Sequence, residues 1–130
     1  MTGERDLKRL IEGMRPMLDP RDWAYALAPA GTVVPEAWAT IREAEGVTVI
    51  APWTDLEGKG WPLSGPWARI TLTIHSSLDA VGLTAAVSHA LAQAGIPANL
   101  IAGWHHDHIF LPRDQAAGAM SALQVLAGTA

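Results

Sequence analysis

The sequence of 130 residues contains no cysteine, and it has only one phenylalanine and one tyrosine. The missing cysteine excludes disulfides, thiolate nucleophiles and cysteine metal sites. Only 17% of the residues are charged, against 49% that are hydrophobic. This composition is sufficient for a real core but leaves little charge for the surface of a monomer. We therefore expect part of the apolar surface to be used in a homodimer.

Positive charge is also scarce, because 9 lysines and arginines face 13 acidic residues, for a formal net charge of -4. No segment concentrates basic side chains, so neither nucleic acid nor an anionic membrane surface is expected as a partner. Residues 1–14 mix three basic and three acidic residues with isolated apolar ones, whereas a signal peptide needs a continuous apolar core. A cytoplasmic protein is therefore predicted.

Catalytic motifs are missing as well. The sequence contains no phosphate-binding loop, no HExxH and no nucleophile elbow. His75 is a sequence neighbour of Ser76 and Ser77, an arrangement that does not favour catalytic geometry. We predict that the protein is not an enzyme, with no catalytic residue and no cofactor.

The clearest pattern of secondary structure begins at Trp67. Three apolar residues alternate with polar ones and predict a strand with one buried face: Ile70, Leu72 and Ile74. The apolar positions that follow have helical spacing; they are Leu83, Ala86, Val87, Ala90, Leu91 and Ala94. Gly95 is placed to end this helix, and Pro97 prevents its continuation.

Two short strands are predicted next, at residues 98–103 and 108–111, on either side of a polar turn. A last helix is expected after Pro112, with a buried stripe formed by Ala116, Met120, Leu123 and Ala127. From Trp67 onward the order is therefore βαββα, one strand short of a ferredoxin-like unit.

The N-terminal half gives weaker signals. A packing helix that ends before Pro16 is predicted by the spacing of Leu7, Leu10, Ile11 and Met14. Strands are expected at residues 22–28, near Ile41 and at residues 47–51. Residues 57–66 carry three glycines and two prolines, the composition of a linker.

An internal repeat relates the two halves. The segment IREAEGVTVIAPWTD overlays IAGWHHDHIFLPRDQ, with Ile41 and Ile101 sixty positions apart. Both segments have the pattern strand, turn, strand, proline, helix. On this interpretation the first half is a reduced copy, in which the first helix has shrunk to residues 29–39.

The C-terminal half resembles the ACT-domain family. Its motifs are DAVGLTA at residues 79–85, LAQAGI at residues 91–96 and NLI at residues 99–101. The family's strand-to-helix turn typically has the sequence D-x-P-G, and Val81 replaces the proline here. The chain is similar to small bacterial proteins with tandem ACT-like halves, to the ACT units of aspartokinases and, in the hairpin around Asp107, to CASTOR-type arginine sensors.

The resemblance implies a fold and a division of the chain. The expected fold class is α+β, with ferredoxin-like βαββαβ ACT-type units and an antiparallel sheet that carries its helices on one face. We expect a reduced ACT-like half at residues 1–62 and an ACT domain at residues 67–130, forming one compact unit.

The resemblance also implies a regulatory protein that binds a small-molecule effector, most simply an amino acid, beside the turn that enters the first helix. Such a site uses backbone N–H groups at a helix N-terminus to hold a carboxylate. Seven residues are assigned to it: Ser76, Ser77, Asp79, Gly82, Leu83, Asn99 and Asp107. Gly82 and Leu83 would donate through their backbones, and Asp107 would receive a cationic group of the ligand.

Each assignment has a structural alternative. Gly82 also suits close helix packing, and Asp79 or Ser77 also suits a helix N-cap. Asp107 and Asn99 are common in turns, where they bond the local backbone.

Two alternative functions therefore stay open. One is a structural or interaction module without a ligand. The other is a metal-dependent enzyme that uses the cluster His105, His106 and His108, because histidines two positions apart on a strand share a side and His75 or Asp107 would add a ligand.

Overall fold

The computed structural model describes residues 3–129, apart from the side chain of Thr129. The helices are α1 (Leu7–Gly13), α2 (Trp53–Leu56), α3 (Leu83–Gln93) and α4 (Ala116–Thr129), and a 3-10 turn, Arg113–Gln115, precedes α4. The strands are β1 (Pro16–Leu18), β2 (Trp23–Ala28), β3 (Ala39–Glu43), β4 (Gly46–Pro52), β5 (Leu63–Leu72), β6 (Asn99–Ala102) and β7 (Asp107–Pro112). None of the helices within residues 3–129 is both long enough and apolar enough to cross a bilayer.

The chain divides into two compact units. Unit 1 contains the residues up to Asp19 and those from Ala68 onward, and unit 2 contains Pro20–Trp67. This division differs from the predicted boundary of the N-terminal half, residues 1–62. The difference arises because α1 and β1 pack with the C-terminal elements.

Unit 1 has the strand order β1-β5-β7-β6. β1 pairs antiparallel with the end of β5, and β6 pairs antiparallel with β7. The predicted βαββα order therefore obtains its missing strand from residues 16–18, which precede unit 2 in the sequence. The ferredoxin-like α+β fold is confirmed.

The helices of unit 1 cover its core. The fully buried side chains of this core include Leu10, Met14, Ile70, Leu72, Val87, Leu91, Ile109, Leu111 and Leu123. α3 ends as its sequence predicts: Gly95 has φ +73°, and the Ile96 N–H donates to the Leu91 carbonyl at 3.0 Å. This bond belongs to the Schellman arrangement that closes many helices.

Unit 2 has the corresponding strand order, β5-β2-β4-β3, with the first part of β5 as its fourth strand. Its core is made mainly of small side chains: Ala24, Ala26, Ala28, Val34, Val47, Val49, Ala51 and Leu56. β4 lies at the predicted buried strand, and residues 29–38 form no helix. The predicted reduction of the first helix is therefore seen in the structure.

The predicted linker is wrong in its second half. Residues 63–66 belong to β5, and the Leu27 N–H donates to the Pro62 carbonyl at 3.1 Å. The pairing of β2 with β5 shifts register here, and Gly65 has φ +141°. Strands tolerate glycine and proline at such irregularities. β5 also ends at Leu72, earlier than the predicted strand that ran to His75.

Candidate functional site

Unit 1 contains a cavity of about 120 Å³ at the turn between β5 and α3. Five of the seven predicted site residues line it: Ser76, Ser77, Gly82, Leu83 and Asp107. Thr84 and Ala102 line it too. β7 places Asp107 there, opposite Ala102 of β6. The turn that enters α3 and the start of β7 thus line the same cavity within unit 1.

Asp79 and Asn99 are not among the residues that line the cavity. Asn99 is exposed at the start of β6, opposite Phe110. The Asp79 carboxylate accepts a hydrogen bond from the Ser77 hydroxyl and lies 3.5 Å from the Arg5 guanidinium. The Ser77 hydrogen bond, followed by the charge of Arg5, lowers the pKa of Asp79. Asp79 therefore holds the turn rather than facing the cavity.

Neither Asp79 nor Ser77 caps α3. The N-cap is Gly82, with φ +105°, and no side chain bonds the first turn. The first N–H groups of a helix have no acceptor within the helix. In α3 these N–H groups follow Gly82, which lies on the wall of the cavity. The positive end of the helix dipole is therefore available to an anionic group in the cavity.

Gly82 also allows close packing at the start of α3, as its structural alternative proposed. A Cβ at this position would lie 3.0 Å from Cδ2 of Leu7. The close neighbour is a side chain of α1, whereas the packing alternative was a contact between the helix and the sheet. The conformation requires glycine in any case, because φ +105° is strained for other residues.

The two serines of the cavity are largely buried. Ser76 is 8% exposed and Ser77 is 4% exposed. The Ser76 hydroxyl donates to Oδ2 of Asp107 over 3.4 Å. Burial raises the pKa of the Asp107 carboxyl, and the Ser76 hydrogen bond and the charge of His106 oppose that shift. An ionised Asp107 therefore lacks much of the solvation it would have in water, which favours a cationic partner.

An N-terminal segment, residues 3–7, lies along this turn, and the sequence analysis did not find it. The Glu4 N–H donates to the His75 carbonyl at 2.8 Å, and the Ser77 N–H donates to the Glu4 carbonyl at 2.9 Å. Only Asp6 carries a recognisable local signal, since its carboxylate accepts from the Arg9 N–H and caps α1. A single bridge between distant residues leaves no periodic pattern in the sequence.

The histidines of the cluster contact one another and the sheet. Within residues 3–129, no group of three or more His, Asp or Glu side chains is arranged to hold a metal ion. The rings of His75 and His105 have centroids 4.9 Å apart, and Nδ1 of His108 lies 3.0 Å from the Thr71 hydroxyl. His108 therefore belongs to a pair within the sheet.

We predict that His108 makes unit 1 less stable in acid. Burial, with the charges of Arg69 and His106 acting in the same direction, lowers the pKa of His108 from 6.5 to about 4. Between these values the unfolded chain binds more protons, so stability falls as the pH is lowered. Allowing for partial exposure, the loss is on the order of 1–2 kcal/mol.

Urea unfolding as a function of pH measures this effect. H108Q is expected to flatten the dependence between about pH 6.5 and pH 4. H89Q is the matched control, since His89 is exposed on α3. An unchanged pH dependence in H108Q would contradict the assignment.

Known protein families and solved structures resemble this chain. Two ACT-domain family models match the chain in tandem, one over residues 2–66 and one over residues 67–125. No curated protein matches the sequence. A crystal structure of a Vibrio cholerae protein of unknown function, a possible transport protein, is 39% identical, with a TM-score of 0.82 over 93% of this chain and 95% of that chain.

Two more distant structures share the fold. The regulatory subunit of aspartate kinase from Thermus flavus is 12% identical, with a TM-score of 0.61 over 85% of this chain and 95% of that chain. A protein from Agrobacterium tumefaciens is 14% identical, with a TM-score of 0.70 over 82% of this chain and 84% of that chain. With both halves matched by family models, the chain belongs to the ACT-domain family and consists of two tandem ACT domains.

Proposed function

We propose that this protein is a non-catalytic regulatory module whose C-terminal ACT domain binds a small amino acid. The observation that carries the proposal is the cavity of unit 1, where buried serines, the Asp107 carboxyl and the start of α3 line one space. The regulatory role is supported by membership of a family whose fold also forms the regulatory subunit of aspartate kinase in Thermus flavus.

The cavity offers complementary groups for both charges of a zwitterion. The N–H groups at the start of α3, near Leu83 and Thr84, suit an α-carboxylate. Asp107 suits an ammonium group, because pairing would compensate the desolvation of its carboxylate. A charge-assisted hydrogen bond of this kind contributes about 1.5–3 kcal/mol.

The size of the cavity restricts the ligand. About 120 Å³ accommodates several water-sized groups, which is enough for a small amino acid. A long side chain such as that of arginine would have to leave through the opening. Small amino acids are therefore preferred over the arginine that the resemblance to CASTOR-type sensors would favour.

The bonding of the serines supports a binding role over catalysis. The Ser76 hydroxyl donates to Asp107 and the Ser77 hydroxyl donates to Asp79. A nucleophilic serine is instead held by a base that removes its proton, most often a histidine. The cavity thus resembles a pre-formed polar receptor.

A thermal-shift screen of the twenty amino acids tests the proposal. A ligand at one hundred times its Kd adds about 2.7 kcal/mol to the free energy of unfolding, which is a readily measured rise in Tm. We expect the largest rise with alanine, serine or another small amino acid. No rise with any amino acid would favour the alternative, an interaction module without a ligand.

We also propose a homodimer in the cytoplasm. Support for self-association comes from an open apolar groove between α3 and α4, lined by small residues and by Val125, which is 66% exposed. Exposed apolar surface of this kind is typical of protein interfaces. Sedimentation velocity at micromolar concentration should give a dimer, and a monomer throughout would exclude it. Fractionation of native host cells tests whether the protein is cytoplasmic.

A further inference from the structure

Unit 2 contains a second pocket, of about 520 Å³, beside β3. Its wall includes Thr32, Trp38, Thr40, Arg42 and Val47. We propose that this unit 2 pocket binds a small organic carboxylate through the Arg42 guanidinium. The inference goes beyond the amino-acid site of unit 1, because it concerns a separate site and a ligand without an ammonium group.

The unit 2 pocket and the cavity of unit 1 correspond in one wall, at equivalent positions of two hairpins. In the β3-β4 hairpin Arg42 lies opposite Val47, and in the β6-β7 hairpin Ala102 lies opposite Asp107. Each pair is related to the other by the sixty-residue offset of the internal repeat. Both pairs line the pocket of their unit.

The equivalent hairpin pairs carry opposite charges in the two units. Asp107 of unit 1 corresponds to Val47, which is 3% exposed within the apolar core of unit 2. Ala102 of unit 1 corresponds to Arg42, so the acid is lost and a base is gained. A pocket that has a guanidinium in place of a carboxylate selects an anion where its counterpart selects a cation.

The Arg42 guanidinium is available to such a ligand. Within residues 3–129 no carboxylate forms an ion pair with it, and two acidic residues of the same unit have other partners. Glu43 accepts a hydrogen bond from the Thr48 hydroxyl, and Glu36 pairs with Lys59 at 3.3 Å. A planar guanidinium matches a carboxylate with two parallel hydrogen bonds.

The rest of the pocket suits a compact apolar body. The Trp38 ring is half-buried and packs edge-on against Trp23, with ring centroids 5.9 Å apart. The pocket is open because residues 29–38 form turns where the other unit has α3. These turns are closed by the Thr32 N–H to Pro29 carbonyl bond and by the Ala37 N–H to Val34 carbonyl bond, both 3.1 Å.

Nuclear magnetic resonance of the full ¹⁵N-labelled chain tests the site, with sodium benzoate as the probe at constant ionic strength. We expect saturable shifts of the Trp38 indole N–H and of the Thr40, Arg42 and Val47 amides. R42Q should weaken the apparent affinity about tenfold or more, as expected for one charge-assisted contact. R9Q, which removes an exposed arginine of unit 1, should leave it unchanged.

Three results would overturn the inference. They are the absence of saturable shifts in these residues, the same benzoate affinity in R42Q as in R9Q, and an equal response to inorganic phosphate, which would make Arg42 a general anion contact. Because Arg42 is exposed on an edge strand, R42Q is expected to fold, and its spectrum verifies this directly. The amides of residues 76–83 report the unit 1 cavity separately, so failure of one site does not imply failure of the other.

Discussion

Replacing Asp107 with asparagine is expected to weaken the binding of a small amino acid by about 10- to 150-fold. This range corresponds to the loss of one charge-assisted hydrogen bond of about 1.5–3 kcal/mol. The substitution keeps the shape of the side chain but removes the charge that the ligand ammonium would meet. Isothermal titration calorimetry of the wild-type protein and D107N, with the best ligand of the screen, measures the effect.

The same variant has a distinctive effect without ligand. Because burial raises the pKa of Asp107, its ionised form is less stable in the folded state than in the unfolded chain. Asparagine removes that cost, so Tm of the ligand-free D107N should equal or exceed that of the wild type. Lower affinity together with unchanged or higher stability separates a binding role from a structural one.

The pH dependence gives an independent control. The wild-type affinity should fall as the pH is lowered towards the raised pKa of Asp107, because the protonated carboxyl no longer pairs with an ammonium group. The affinity of D107N should not show this fall as the pH is lowered. Equal affinity of the two proteins at neutral pH would remove Asp107 from the site.

Replacing Gly3 with alanine is expected to have the second large effect. Gly3 has φ +105°, and a Cβ there would lie 2.8 Å from the Ser77 backbone nitrogen. Backbone atoms cannot move aside as a side chain can, so residues 3–7 should detach from the turn. Two backbone hydrogen bonds, each contributing about 0.5–1.5 kcal/mol, join them. Loss of both would reduce the free energy of unfolding by about 1–3 kcal/mol.

The affinity of G3A for the ligand should fall together with its free energy of unfolding. If binding requires an ordered turn at Ser76 and Ser77, the ligand must provide the ordering free energy that G3A has removed. Calorimetry and urea unfolding measure the two effects together. G95A is the matched control: Gly95 also has a positive φ, +73°, but a Cβ there meets no atom within 4 Å. G95A should lose stability through backbone strain while it keeps its affinity, and equal affinity in G3A would exclude the proposed coupling.

The sequence predicted most of unit 1 because its elements carry strong local patterns. The apolar stripe of α3, the glycine after it and the hairpin around Asp107 each depend on neighbours a few residues away. The missing strand could not be located in the same way. β1 has only three residues, and its partner in β5 is more than fifty positions away in the sequence. Such pairing depends on tertiary packing, to which local propensity is insensitive.

The candidate site shows the same distinction. Motif positions identified five residues on the wall of the cavity, because a turn that enters a helix is defined locally. Asn99 does not line the cavity; the family resemblance gave its position in the sequence without its surroundings in the fold. The contact between residues 3–7 and the turn was missed for the same reason as β1, since it joins distant segments.

The unit 2 pocket was not foreseen either, although the repeat that exposes it was visible in the sequence. Overlaying the hairpins relates Arg42 to Ala102, but only the observed registers show that both positions line a pocket. The exchange of an acid for a base between the two pockets becomes informative once the geometry of both is known.

The most direct test of the central proposal is a ¹⁵N nuclear magnetic resonance titration of the full chain with the amino acid that gives the largest rise in Tm. The account predicts saturable shifts at the amides of Ser76, Ser77, Gly82, Leu83 and Asp107, with little change at residues 20–67. Shifts that are absent from these five residues, or confined to residues 20–67, would contradict an amino-acid site in the C-terminal ACT domain.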